Sequence, residues 1–445
     1  RKTDCGYAEA MRTRDPERWW CAAVLACVIG AVGGGVKDAR AAVGAGIRAS
    51  GWVADEPTAP ARPSSSNATD GAAKTQRDEP GESVRDVSAV LAKIIGESKT
   101  PGMVAAIVRS DGGTRIVALG AAGVRKAGSE AKVTVDDRFH LGSCTKAMTA
   151  TLCAMLVEEH KLAWDRPLGE ALPELKDTMQ AAYAGVTLAD LLHHRAGLPD
   201  DLSGNGVWGK MWEFKGSGRE ARDALLPEVL KLPPVGKAGE TFRYSNAGYA
   251  IAGWLAERAE GKAYEELMRE RVWRPLGITS AGFGAPTGEE SPRGHNGAGK
   301  PMEPGPGGGG ASSAGADNPQ AIAPAGTAHM TVSDWGRFVG LHLAGARARA
   351  LGKPVEGLLL SEASFAALHT PVAGASGAGK DYAMGWMVTE RPWADGAAFT
   401  HSGSNTMWFC TVWMAPRKGF AVLVAANAAD KATQEAVDRA VGELI

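Results

Sequence analysis

From residue 86 to the C-terminus the apolar pattern changes period twice. Val104–Val108 and Arg115–Leu119 read as two short strands joined at Asp111-Gly112-Gly113, a hairpin signal. Helical spacing then takes over at Ser143–His160, Leu188–His193, Asn246–Glu260, Tyr264–Val272 and Val332–Leu343. Strand-like runs return at Tyr382–Val388, Thr406–Met414 and Phe420–Ala426. A last helix from about Lys431 would bury Ala436, Val437, Ala440, Val441 and Leu444. Strands at both ends with helices between predict one sheet made from both termini, with a largely helical region (about 166–324) inserted into it.

The N-terminal part reads differently. Arg12, Arg14 and Arg18 precede an apolar run from Trp19 to Val36, and Ala39-Arg40-Ala41 is a small-x-small site just beyond it. Residues 1–41 are therefore expected to be a leader, with Met11 well placed to begin it, and the protein to be exported to the periplasm, cell envelope or medium. The apolar run is also about long enough to stay as a membrane anchor. Residues 42–85, rich in Pro, Ser, Ala and Asp from 52 onward, are expected to form a flexible linker to a domain spanning 86–445. A second low-complexity stretch, Gly294–Asn318, lies between helical segments and reads as a long loop.

Charge and cysteine content narrow the function classes. Lys+Arg is 49 and Asp+Glu is 50, so the basic excess of a dedicated nucleic-acid binder is missing and no such partner is expected. Six Cys are too few for a disulfide-built scaffold in 445 residues. Cys144, Cys153 and Cys410 fall in the domain; Cys144 and Cys153 point to opposite faces of one helix and cannot pair. No Cys-x-x-Cys or His-Glu-x-x-His occurs, and His193-His194 lacks a carboxylate or Cys at ligand spacing.

Three segments could carry chemistry. Ser143-Cys144-Thr145-Lys146 stands where an apolar helix begins, so Lys146 lies over Ser143, close enough to act as its base. The helix N-terminus offers N–H groups to developing negative charge. The pattern is weak alone: a second copy, Ser129-Glu130-Ala131-Lys132, sits in a charged turn with no helix to fix its geometry. Tyr244-Ser245-Asn246 opens another helix, where the phenol could shuttle a proton and the amide could bind a carbonyl. His401-Ser402-Gly403-Ser404 ends a strand-like run, and Gly403 lets a substrate approach the backbone.

Taken in order, these segments resemble the serine β-lactamase and penicillin-recognising family, with its Ser-x-x-Lys, Tyr-x-Asn and Lys/His-x-Gly motifs, and most of all its class C-type branch of esterases, D-aminopeptidases and D,D-peptidases. The likeness runs through roughly 86–445. It includes His140-Leu141-Gly142 before the serine, Leu191–Pro199, the Gly248-Tyr249 after the second motif, Arg274-Pro275-Leu276-Gly277 and Pro324-Ala325-Gly326. The resemblance implies an α/β fold of the α+β type, an antiparallel sheet flanked by helices beside a mostly helical region, with the cleft between them. It implies Ser143 as the acylated nucleophile and Lys146 with Tyr244 as general base. Asn246 and His401 would bind substrate, and Gly403 would line the site. The N–H groups of Ser143 and Ser404 would form the oxyanion hole. Neither a metal nor an organic cofactor is implied.

The expected activity is an exported serine hydrolase forming an acyl-enzyme with a small molecule or short peptide: a β-lactam, a D-amino-acid peptide or a short ester. The alternatives are a D,D-peptidase or penicillin-binding protein that deacylates slowly, and a non-catalytic binding protein that keeps the fold. The His-x-Gly form, commoner among D-aminopeptidase and esterase-like relatives, attracts a substrate carboxylate less than lysine would. Trp408, just beyond it, is expected to narrow the cleft, and Cys144 to be buried packing.

Overall fold

The computed structural model describes residues 83–445 apart from 112, 289 and 305–316; the expected leader, the linker up to residue 82 and the centre of the Gly-rich loop lie outside the described residues. β1 (Arg85–Asp86), α1 (Ser88–Ser98), β2 (Gly102–Ser110) and β3 (Thr114–Gly123) open the fold. β4 (Arg138–His140) leads to α2 (Thr145–Glu158). A helical region follows, with α3 (Leu188–Leu192), α4 (Gly218–Val229) and α5 (Asn246–Glu260). β5 (Gly282–Phe283), β6 (Ala328–Thr331), α6 (Val332–Ala350) and α7 (Glu362–His369) return the chain to the sheet. β7 (Met387–Arg391), β8 (Gly396–Ser404), β9 (Phe409–Ala415), β10 (Phe420–Ala426) and α8 (Lys431–Leu444) complete it.

The main sheet has seven strands in the order β1-β3-β2-β10-β9-β8-β7, antiparallel except for β1 beside β3. Its centre is the pairing of β10 with β2, from Phe420↔Arg109 to Ala426↔Met103, which joins the two ends of the domain as the sequence pattern predicts. Both faces are covered. Val104, Ala106 and Val108 share a core with Trp335, Phe338 and Val339 of α6. The alternate residues Met103, Ala105 and Ile107 pack with Leu91 and Ile94 of α1 and with Val437 and Val441 of α8. That explains why β2 reads as a continuous apolar run and extends beyond the strand expected from sequence.

α2 stands between two cores. Ala147, Met148, Leu152 and Leu156 belong to the sheet core, while Ala150, Cys153 and Ala154 belong to the core of the helical region with Leu191, Tyr249 and Trp254. A helix buried on all sides has no polar face, and Lys146, at its first turn, is fully buried. Position 385 is where sequence and structure part. Tyr382–Trp386 forms a turn and β7 begins only at Met387, because Gly385 (φ +84°) lies so near α2 that a Cβ there would be 2.7 Å from the Ala147 backbone. Likewise β9 begins at Phe409 and not Thr406: the Asn405 side-chain oxygen accepts from the N–H groups of Met407 and Trp408, holding an Asx-type turn.

Candidate active site

Ser143 sits in a single 3-10 turn, Gly142–Cys144, that runs straight into α2. Thr145 Oγ1 donates to the Gly142 carbonyl at 2.7 Å and accepts from Ala328 N–H at 3.1 Å, so β6 clamps the turn from behind. His140 adds a second brace. Its Nδ1 accepts from Gly142 N–H at 3.1 Å, which leaves Nε2 to donate to Asp317 at 3.0 Å. On the opposite side the turn meets β8 backbone to backbone. A Cβ on Gly142 would lie 2.4 Å from the Ser404 nitrogen, and one on Gly403 would lie 2.0 Å from the Leu141 carbonyl oxygen. Only glycine fits at either position, and Gly142 also holds φ +47°. The contact sets the Ser404 N–H beside the serine turn.

Lys146 Nζ lies 3.1 Å from Ser143 Oγ, 2.8 Å from Asn246 Oδ1 and 2.7 Å from the Ala325 carbonyl oxygen. Two of these acceptors carry no proton of their own to exchange. They hold two N–H bonds of the amine whatever its charge, so its third position faces Ser143 either as an N–H or as a lone pair. The Tyr244 ring lies under the same amine, 4.7 Å from its centroid. Ser245 is extended (φ −135°, ψ 123°) and gives its hydroxyl to the Pro199 carbonyl at 2.6 Å, which directs Tyr244 and Asn246 to either side of Lys146.

His194 closes the floor of the site. It has φ +58° and accepts from Ser245 N–H at 3.1 Å. Its ring packs against Tyr244 at 4.2 Å, Tyr382 at 4.8 Å and Tyr249 at 5.1 Å. Burial, then the nearby Lys146 cation, hold it well below the usual histidine value, so it is neutral. The adjacent His193 turns away, with Nδ1 on Ala189 O at 2.9 Å and Nε2 near Thr370 O, so the pair does not converge on one point.

His401 is on β8, 2% exposed. Burial first, and the Lys146 charge second, push its pKa down to about 3. The structure thus brings Ser143, Lys146, Tyr244 and Asn246 around one amine, with Gly403 and Ser404 against the serine turn, and turns the His401 ring into the protein. Trp408 corrects an expectation: it is 1% exposed and packs edge-on against Phe139 at 5.5 Å in the sheet core, so it does not border the cleft. Cys144 is buried as expected, its Sγ 3.6 Å from that of Cys410, and all three described cysteines are free thiols. Tyr382, the Ala325 carbonyl and the His140–Asp317 brace were not marked by the sequence as site groups. No spacing rule reaches them, because their partners lie on other elements.

A serine at the mouth of a buried helix, with a lysine one turn on and a backbone N–H opposite, is an arrangement suited to acyl transfer through the serine. The family model described as Beta-lactamase matches residues 87–444, and the chain belongs to that family. It is 30% identical over 156 residues to unguisins hydrolase ungD' of Aspergillus campestris, covering 33% of this chain and 28% of that protein's length. It is 28% identical over 320 residues to penicillin-binding protein 4 of Amycolatopsis lactamdurans, covering 69% of this chain and 76% of the relative. Among solved structures, SurE with D-Leu superposes with a TM-score of 0.61 at 25% identity, covering 80% of this chain and 74% of that one.

Proposed function

We propose that the protein is an exported serine hydrolase that works through an acyl-enzyme on Ser143, with a small amide or ester, or a short peptide, as substrate. The observation that carries the reading is the Lys146 amine, held by two fixed oxygen acceptors with its third position on Ser143 Oγ. With neutral Lys146, the serine proton passes to Nζ as Oγ attacks the carbonyl carbon. The oxyanion forms against the N–H groups of Ser143 and Ser404. The proton then returns, by way of Lys146 and Tyr244, to the leaving nitrogen or oxygen, and water repeats the sequence to release the acid. Asn246 shares its side-chain oxygen with Lys146 and keeps its NH2 for the substrate carbonyl.

Export rests on the leader-like residues 1–41, and on relatives named as penicillin-binding proteins and as a D-alanyl-D-alanine carboxypeptidase. Among the described residues no helix is long and apolar enough to cross a membrane; the apolar run Trp19–Val36 lies outside them. The resemblance to penicillin-binding protein 4 favours a second reading in which deacylation is slow. Intact mass after a fluorophosphonate probe tests the first: one adduct on the wild type and none on Ser143→Ala, both folded by circular dichroism. A wild type that stays unmodified overturns it. The lifetime of a penicillin adduct, minutes or milliseconds, separates the two readings.

A further inference from the structure

The backbone angles of Gly142 aim the Ser143 N–H, and Gly142 is the one residue of its turn with no side chain to hold it. It is buried at φ +47°, a conformation that glycine enters and leaves freely. Its carbonyl is fixed: Thr145 donates to it from both its N–H and its Oγ1. Its N–H donates to His140 Nδ1 at 3.1 Å. A backbone N–H only donates, so Nδ1 is bare and the ring proton is on Nε2. Nε2 donates it to Asp317 Oδ1 at 3.0 Å.

Both partners are built into the fold. His140 ends β4, opposite His329 of β6, and its ring is closed to solvent. Asp317 comes from the far end of the Gly-rich stretch, its side chain 14% exposed. A Cβ on Gly284 (φ +91°) would lie 2.8 Å from Asp317 Oδ2, so the glycine after β5 is what admits the carboxylate. Gly284 is itself tied to the chain around β6: its N–H donates to the Thr327 carbonyl at 2.7 Å, and its carbonyl accepts from His329 Nδ1 at 2.8 Å. Asn318, the next residue, donates from Nδ2 to the Gly326 carbonyl at 3.0 Å, one peptide on from the Ala325 carbonyl that holds Lys146. Two adjacent residues thus reach both the turn of Ser143 and the wall behind Lys146.

We infer that His140, oriented by Asp317, is a positioning residue for the oxyanion hole: by accepting from the Gly142 N–H it holds the peptide before the serine turn, and with it the direction of the Ser143 N–H. The inference rests on the acyl-enzyme reading of Ser143. The carboxylate keeps the ring proton on Nε2; a proton on Nδ1 would set one donor against another and break the bond to Gly142. Without His140 the Leu141–Gly142 peptide is held at its oxygen alone, by Cys144 N–H at 3.0 Å and Cys410 Sγ at 3.3 Å. A buried N–H then lacks an acceptor, which the turn relieves by rotating about Gly142, and the Ser143 N–H turns with it. The serine side chain stays beside Lys146, so the loss falls on the negative oxygen and not on the attack.

The test reads the hole separately from the serine. With an alkyl fluorophosphonate, Ser143 Oγ bonds to phosphorus, fluoride leaves, the serine proton passes to Lys146, and the P=O oxygen enters the hole. The P=S counterpart puts sulfur there, a weak acceptor for the same N–H groups. Both probes are given to the full chain, and the rate of adduct formation is followed by intact mass. In His140→Phe, which keeps a flat ring, the P=O-to-P=S rate ratio is expected to fall roughly ten-fold from the wild-type value. In Asp317→Ala, where the ring proton is free to move to Nδ1, it falls about three-fold. His140→Asn returns an acceptor, Oδ1, to the Gly142 N–H and brings the ratio back to within about three-fold of wild type. A merely structural loss lowers both rates alike. A wild-type ratio in His140→Phe or Asp317→Ala therefore overturns the inference, as does a His140→Asn that behaves like His140→Phe; where His140→Phe does not fold, Asp317→Ala carries the measurement. Nitrogen NMR of the wild-type His140 ring, assigned by His140→Asn, is expected to show the proton on Nε2 with Nδ1 bare, and a proton on Nδ1 overturns the inference. A wild-type adduct with unchanged ratios in the variants sinks this inference alone, and no wild-type adduct sinks the Ser143 reading and this one together.

Discussion

Lys146 and His401 enter the same site from opposite walls, and both are buried basic groups. Their partners differ. Lys146 projects from α2 onto three oxygen atoms, each able to receive a proton's positive end. His401 lies on β8 with one nitrogen on its own strand's carbonyl and the other beneath a tyrosine hydroxyl. The oxygen atoms around the amine receive its N–H groups, while burial first and Lys146 second keep the imidazole neutral. Depth alone thus does not decide what a buried basic group can do; the atoms set around it do.

The largest effect should come from the lysine wall. Lys146→Met is expected to lower acylation of Ser143 by about a thousand-fold or more, read in stopped-flow with an activated ester. It should also destabilise the fold by about 1–3 kcal/mol, because Asn246 Oδ1 and the Ala325 carbonyl lose a buried partner. Activity surviving in this variant would break the comparison at its strongest point. Gly403→Ala comes next. Its Cβ would fall 2.0 Å from the Leu141 oxygen, so the serine turn and β8 must separate. A loss of about 3 kcal/mol in urea unfolding is expected, with the fluorophosphonate adduct lost even where the variant is folded.

The histidine wall should show itself in acid. His401 and His342 are pushed down to about 3, and His329 to about 4, in each case chiefly by burial. Folded values lie below the unfolded value near 6.5, so the unfolded chain takes up protons first. Stability held by these neutral rings is complete above about pH 7 and is lost as pH falls from about 6.5 towards 4 and below. His401→Gln should flatten that acid limb by on the order of 1 kcal/mol per pH unit, measured as urea midpoints against pH. An unchanged slope would mean that His401 is not neutral in the fold. The smallest effect concerns the turn beyond β8. Thr406 is a β-branched residue at φ +76°, held by its N–H on Ser404 Oγ. Thr406→Gly should raise stability by about 0.5–1 kcal/mol, the relieved strain exceeding the added freedom of the unfolded chain.

Much of the frame was legible because it follows local rules. The bounds of α5 and β10 and the start of α8 match the apolar periodicity, and the joining of the two termini follows from strand placement. Ser143 and Lys146 were legible because a helix turn fixes their spacing. What was not legible depends on contacts between distant elements. The strand at 382 fails because Gly385 meets Ala147, and Trp408 faces inward because Phe139 receives it. Tyr382 gives no local signal at all. Its meaning comes from a histidine on another strand, and only the fold supplies that pairing.

The glycine contact between the serine turn and β8 has one more consequence, for the chain as it is made. The hydrogen bond from Cys144 to His401 spans 257 residues of sequence. Ser143 is translated well before β8, whose Ser404 N–H is proposed to meet the oxyanion. A ribosome-bound chain that stops before β8 holds its serine and lysine without the opposing N–H. On the proposed acyl-enzyme reading, such a chain lacks half of the oxyanion hole, and the site is complete only once β8 has been made and has docked on the serine turn.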